Sequence, residues 1–81
     1  MKPLVTLYTR PGCCLCEEAK QVIAEARSYA DFTYEEVDID SDGDLRRLYN
    51  DEVPVVAINR AKAFKYRVSM NELLKKLAAR A

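Results

Sequence analysis

The spacing of apolar residues divides most of the chain into predicted strands and helices. Residues 4–9 form a short apolar and β-branched run that is typical of a strand. From Leu15 onward, apolar residues recur mostly at steps of three and four, which predicts a helix with one buried face. Residues 32–39 are a second predicted strand, and an acidic turn at 40–44 precedes a short helix. The almost wholly apolar residues 53–58 indicate a strand covered on both faces.

Two further elements complete the predicted order. Residues 63–66 are a plausible edge strand, and residues 69–72 match a capping box that would begin a last helix. The order β-α-β-α-β-β-α predicts an α/β fold over residues 1–81, a single domain with a four-stranded mixed sheet and helices on both faces. The first two strands should be parallel through a right-handed crossover. The last two, joined by a few residues, should be antiparallel.

Composition narrows the possible functions. The 81 residues contain 13 Lys+Arg and 13 Asp+Glu, so the formal net charge is zero. This balance argues against binding to nucleic acid or to an acidic membrane by bulk electrostatics. No membrane span or secretory signal is visible, so we expect a cytoplasmic protein. The chain has no His, which removes imidazole general-base catalysis and His-ligated metal and leaves sulfur chemistry.

Three cysteines cluster where the first strand gives way to the first helix, at Cys13, Cys14 and Cys16. They lie too close together in sequence to cross-link distant segments by disulfides, so thiol chemistry in a reducing compartment is the better interpretation. Backbone N–H groups and the dipole at a helix N-terminus favour a thiolate at Cys13. Helical i, i+3 spacing would place Cys16 close enough to form a disulfide with it. Arg10 can add a positive charge nearby.

The placement of these thiols suggests a role for each. Cys13 would be the exposed nucleophile that forms a mixed disulfide, and Cys16, more buried, would resolve it. We expect Cys14 to be a small exposed residue without a catalytic part. Inert core thiols or a degenerate site are the alternatives. A zinc site normally needs four ligands from two separated pairs, so no metal is expected within one chain, although a cluster shared between two chains stays open.

The first strand, the C-x-x-C pair and Val53-Pro54 at the start of the third strand together resemble the thioredoxin fold. Residues 8–19 are similar, more specifically, to small glutaredoxin-like proteins with the motif C-x-L-C-E-x-A. The resemblance implies a thiol–disulfide oxidoreductase of cell redox homeostasis, with a redox-active Cys13–Cys16 disulfide. It also implies that the Val53–Pro54 bond is cis and offers its backbone to a peptide or glutathione. Arg10 matches a basic residue that can meet a glutathione carboxylate, which makes Arg10, Val53 and Pro54 the predicted substrate-binding residues.

The chain departs from the glutaredoxin pattern in the segment that binds glutathione. Glutaredoxins carry Gly-Gly and an acidic residue before the last helix, whereas residues 66–72 contain no glycine here. Side chains at these positions would hinder a close backbone approach. Glutathione therefore stays a possible co-substrate, and the alternative within the same class is a small redoxin that is reduced by a flavoprotein reductase. We expect a monomer without a bound cofactor. Its expected partner is a disulfide-containing protein or a glutathione mixed disulfide. Two alternatives belong to other functional classes. One is a module that bridges an iron–sulfur cluster between two chains, and the other is an interaction protein without enzymatic turnover.

Overall fold

The computed structural model describes residues 2–49 and 52–80 of the chain. Its element order confirms the prediction from the apolar pattern. The elements are β1 (Leu4–Thr9), α1 (Cys14–Ala26), β2 (Thr33–Asp38), a 3₁₀ turn (Ile39–Ser41), α2 (Gly43–Tyr49), β3 (Val55–Ile58), β4 (Ala61–Lys65) and α3 (Met70–Arg80). Within these described ranges, no helix combines the length and the apolar content needed to cross a membrane.

The strands form one mixed four-stranded sheet in the order β2-β1-β3-β4. Strands β1 and β2 are parallel, as predicted for a β-α-β unit. Strand β3 runs antiparallel to both β1 and β4, so β1 lies between a parallel and an antiparallel neighbour. The outer positions are held by β2 and β4. This arrangement confirms the predicted mixed sheet.

Alternation along β1 assigns its side chains to two faces of the sheet. Val5 and Leu7 are fully buried in a core that also contains Ile23 of α1 and Leu73 of α3. Because successive strand residues point to opposite faces, Tyr8 lies on the other side of the sheet. There its ring packs against the ring of Tyr49 of α2, with the two centroids 4.8 Å apart. Helices therefore contact both faces, and burying side chains such as Leu7 and Ile23 stabilises the fold by about 1.5–3 kcal/mol each.

The β3–β4 connection is shorter than the sequence pattern indicates. Strand β4 begins at Ala61 rather than at residue 63, because Asn59 and Arg60 alone form the turn. Their φ angles are 51° and 70°, both in the left-handed region. Two such residues form the type of turn that matches the twist of antiparallel strands. Strand β3 in turn begins at Val55, two residues after the predicted start.

Asn59 also ties this hairpin to β1. Its N–H donates to the Leu4 carbonyl at 2.8 Å, and its Oδ1 accepts from the Leu4 N–H at 2.9 Å. Asn59→Ala should lower the free energy of unfolding by about 1–2 kcal/mol, because Ala loses the second hydrogen bond and tolerates positive φ poorly. Urea denaturation measures the loss. Asn59→Asp is the matched control, since Asp retains the acceptor and the tolerance, and an equal loss in both variants would contradict this explanation.

Candidate active site

Cys13 lies at the junction between β1 and α1. The chain leaves β1 after Thr9 and turns through Gly12, whose φ of 76° favours a residue without a side chain. Cys13 is then the N-cap residue of α1, in extended conformation, and its Sγ accepts a hydrogen bond from the Cys16 N–H at 3.2 Å. The Cys13 carbonyl accepts from the Glu17 N–H, also at 3.2 Å. The first turn of the helix thus fixes the Cys13 sulfur over its N-terminus, as the sequence predicts.

The three free thiols differ in accessibility. Cys14 is exposed, Cys13 is half-buried, and Cys16 is only 1% exposed. Cys13 can therefore meet a bulky partner from outside, while Cys16 lies behind it in the protein. The burial of Cys16 agrees with the sequence, whereas Cys13, expected to be exposed, is only partly so; the roles of nucleophile and resolving thiol stay predictions. Across the described residues, no three metal-ligating side chains converge on one point.

Cys16 is surrounded by contacts that act on its pKa in opposite directions. Burial is the largest influence and raises the pKa of the Cys16 thiol above its ordinary value, and a hydrogen bond with Cys13 raises it further. A hydrogen bond from the Thr9 side chain and another from the Arg10 backbone lower it. The net effect is a raised pKa, so Cys16 is a protonated thiol at neutral pH. The role of Thr9 is not evident from the sequence, because the contact depends on how β1 meets α1.

Arg10 forms part of a charged cluster next to this junction. Its guanidinium Nη2 lies 3.4 Å from Asp40 Oδ1, in the 3₁₀ turn after β2. The same oxygen lies 3.5 Å from Nε of Arg46 in α2. The Asp40 carboxylate thus offsets part of the positive charge that Arg10 was predicted to add near Cys13. The contact between Arg10 and a substrate stays a prediction.

The Val53–Pro54 peptide bond is cis, as the family resemblance implies. The turn lies at the cysteine end of the sheet, because Tyr8 of β1 pairs with Val55 immediately after it. Pro54 is buried, and its carbonyl accepts the N–H of Tyr66 at 2.8 Å. The sheet register therefore brings the predicted substrate-binding turn to the same end of the molecule as Cys13. Its contact with a substrate stays a prediction.

A groove of about 320 Å³ runs along α1 from Leu15 to Glu25. Leu15, between the two cysteines of the C-x-x-C sequence, lines one wall together with Glu18. The other wall is the segment between β4 and α3, where Tyr66 is 44% exposed and has a φ of 66°. The segment 66–72, which contains no glycine, thus begins with a tyrosine in a left-handed conformation. The groove thus presents an aromatic ring and a carboxylate along α1, and its lining residues include none of the three cysteines.

Solved structures with the same architecture define the class of protein. Protein Ne2328 from Nitrosomonas europaea is 29% identical and superposes with a TM-score of 0.83, with 95% of this chain and 93% of that chain covered. A thioredoxin from Halobacterium salinarum is 13% identical, with a TM-score of 0.73, 96% of this chain and 74% of the thioredoxin being covered. The second likeness concerns the fold alone. The chain is therefore a thioredoxin-like α/β protein with a C-x-x-C sequence at the start of its first helix.

Sequence comparison narrows this class to a family. The model of the glutaredoxin-like domain (DUF836) matches residues 4–78. The glutaredoxin-like protein YDR286C homolog of Dictyostelium discoideum is 35% identical over 75 residues, which are 85% of this chain and 69% of that protein. The chain belongs to the glutaredoxin-like DUF836 family. Membership agrees with the resemblance that the cysteine motif and Val53-Pro54 suggest.

Proposed function

We propose that this protein is a thiol–disulfide oxidoreductase in which Cys13 attacks and Cys16 resolves. The observation that carries the proposal is the placement of Cys13 and Cys16 one helical turn apart at the start of α1. Cys13 Sγ accepts the Cys16 N–H at 3.2 Å, and the Cys16 thiol lies buried directly behind it. A helix N-terminus presents donors that favour sulfur in its thiolate form, which is the attacking species.

The reaction would proceed in two exchange steps. The Cys13 thiolate attacks one sulfur of a substrate disulfide, and the other substrate sulfur leaves as a thiolate that takes a proton from water. Cys16 then loses its proton and attacks Cys13, which forms the Cys13–Cys16 bond and expels the second substrate thiolate. Two substrate thiols and one protein disulfide result, so the protein dithiol has supplied two electrons.

The groove along α1 favours a protein reductase over glutathione as the electron donor. Tyr66 lines this groove and begins the segment 66–72, which contains no glycine, so its side chain would limit a close approach of glutathione to the backbone. The groove is lined by two carboxylates, Glu18 and Glu25, and one guanidinium, Arg67, a charge balance that disfavours the two carboxylates of glutathione. We therefore place disulfide-containing proteins among the substrates and a flavoprotein reductase as electron source, in a reducing compartment such as the cytoplasm.

The test starts from the oxidised protein. Reduced glutathione, or thioredoxin reductase with NADPH, is added, and the return of free Cys13 is followed by alkylation and mass spectrometry. We expect rapid reduction by the reductase and slow reduction by glutathione. Tyr66→Gly should accelerate the glutathione reaction, because it opens the groove, and leave the reductase reaction nearly unchanged.

Two results would count against these assignments. Rapid reduction of the unmodified protein by glutathione would make glutathione the electron source and show that the side chain of Tyr66 does not exclude it. Failure to form a Cys13–Cys16 disulfide under any oxidising condition would remove the dithiol mechanism itself.

A further inference from the structure

The turn that leads into β3 is attached to three other segments of the chain. At the end of α2, the Tyr49 carbonyl accepts the Glu52 N–H at 2.9 Å. After β4, the Tyr66 N–H donates to the Pro54 carbonyl at 2.8 Å and lies 3.4 Å from the Glu52 carbonyl. From β4 itself, Lys62 Nζ donates to Glu52 Oε1 at 2.5 Å. This last contact joins two charged side chains, so it can be removed without changing the backbone.

A bulge in the β3–β4 ladder determines the face of the sheet on which Lys62 lies. Val56 pairs with Phe64, but the next residue, Ala57, pairs with Lys62, so Ala63 is an extra residue in β4. Because paired residues share a face, Lys62 lies on the same face as Ala57. This is the face on which α2 packs, and it brings the amine within reach of the turn that leads into β3.

The Lys62 ammonium contacts an aromatic ring as well as the Glu52 carboxylate. It lies 5.9 Å from the centroid of the Tyr49 ring, within the range of a cation–π interaction, and Tyr49 in turn packs against Tyr8 of β1. The hydrogen bond between the two side chains lowers the pKa of Glu52 and raises the pKa of Lys62, so both are charged at neutral pH. One amine of β4 thus holds the turn and α2 together.

Val53 follows Glu52 directly and is half-buried. Within residues 2–49 and 52–80, its backbone forms no hydrogen bond with another backbone group, which leaves it available to an extended peptide at the end of the sheet where Cys13 lies. We propose that Glu52 and Lys62 are positioning residues for substrate capture, whose ion pair holds Val53 in place for a peptide that pairs with its backbone. This inference rests on the proposed exchange function. It adds that peptide disulfides depend on the ion pair, whereas small disulfides do not.

The experiment uses two uncharged disulfides that release the same ultraviolet-absorbing group, pyridine-2-thione. One is 2,2′-dithiodipyridine, which has no peptide backbone, and the other is an extended peptide whose single cysteine is a 2-pyridyl disulfide. The Cys13 thiolate attacks the peptide sulfur, the Cys13–peptide disulfide forms, and the pyridyl sulfur leaves and takes a proton from water. In a Cys14→Ser background, the first equivalent released reports capture by Cys13. Its rate is measured against the concentration of each disulfide in excess.

Glu52→Gln and Lys62→Met each remove one charge of the pair with little change in shape. With the peptide, the half-saturating concentration should rise about three- to fivefold, the modest effect expected of a partly exposed ion pair, while the limiting rate stays within about twofold of the parent. With 2,2′-dithiodipyridine, both variants should react within about twofold of the parent. Lys62→Arg retains the charge and should restore capture of the peptide. Urea denaturation verifies that every variant is folded.

Lys65→Met is the matched control, because Lys65 lies on the same strand and acts on Glu52 through its charge alone. It should leave capture of the peptide within about twofold of the parent. The positioning role would be overturned by an unchanged half-saturating concentration in Glu52→Gln and Lys62→Met, by an equal loss with 2,2′-dithiodipyridine, or by the same loss in Lys65→Met. In each of these cases, release by the parent protein leaves the exchange function standing. No release from either disulfide by the parent would overturn the proposed function and this inference together.

Discussion

Cys13→Ser should abolish the proposed thiol–disulfide exchange, with an expected loss of roughly a thousandfold or more, as is typical when an enzyme loses its nucleophile. A hydroxyl at the N-cap of α1 accepts the same backbone N–H but is not deprotonated at neutral pH, so the fold persists without the chemistry. The measurement is the rate of reduction of a peptide disulfide, with circular dichroism to verify the fold. Activity above one tenth of the parent would mean that another thiol attacks.

The remaining two cysteines provide matched controls for this result. Cys16→Ser should stop the reaction after the first step, and a stable mixed disulfide on Cys13 should be visible by mass spectrometry. Cys14→Ser should change the rate by less than about twofold, because Cys14 is exposed at the helix start and no step is assigned to it. Loss of activity in Cys14→Ser together with full activity in Cys16→Ser would show that the resolving thiol is misassigned.

Leu7→Ala should bring the protein close to global unfolding. Leu7 is fully buried in β1, between α1, α3 and the neighbouring strands. Truncating a buried Leu to Ala lowers the free energy of unfolding by about 2–5 kcal/mol. The whole free energy of unfolding is only about 5–15 kcal/mol for a typical domain. In a domain of this size the melting temperature should fall by roughly 4–8 °C for each kcal/mol lost.

Leu48→Ala is the control for this truncation. Leu48 lies in α2 with 63% of its surface exposed, so the same change in side chain should alter stability by about 0.5 kcal/mol or less. Urea denaturation of both variants gives the two free energies directly. Similar losses in the two variants would mean that the core does not lie where β1, α1 and α3 meet.

Local patterns in the sequence predict the order of elements and the position of the thiols. The apolar spacing from Leu15 reflects one buried helix face, and the run at 53–58 reflects a central strand; both are set by neighbours along the chain. The placement of Cys13 at a helix start likewise follows from the turn at Pro11 and Gly12. Features of this kind depend on a few consecutive residues, so a single sequence is sufficient to predict them.

The parts of the site that escaped prediction depend on contacts between distant segments. Asp40 reaches Arg10 because β2 lies parallel to β1 and ends beside it. The hydroxyl of Thr9 meets Cys16 only after the chain has turned into α1. Tyr66 adopts a positive φ where its N–H meets the Pro54 carbonyl, although propensity would place a glycine there. None of these pairings has a signal in composition or periodicity.

The strand order has a consequence for how copies of this protein meet at high concentration. The outer strands β2 and β4 each present backbone groups that a second sheet could pair with. Glu35 and Glu36 are exposed on β2, whereas Lys62 and Lys65 are exposed on β4. Two copies approaching through the same edge would bring acid against acid or amine against amine. Repulsion between like charges at both edges thus opposes the symmetric edge-to-edge pairing from which β-aggregates grow.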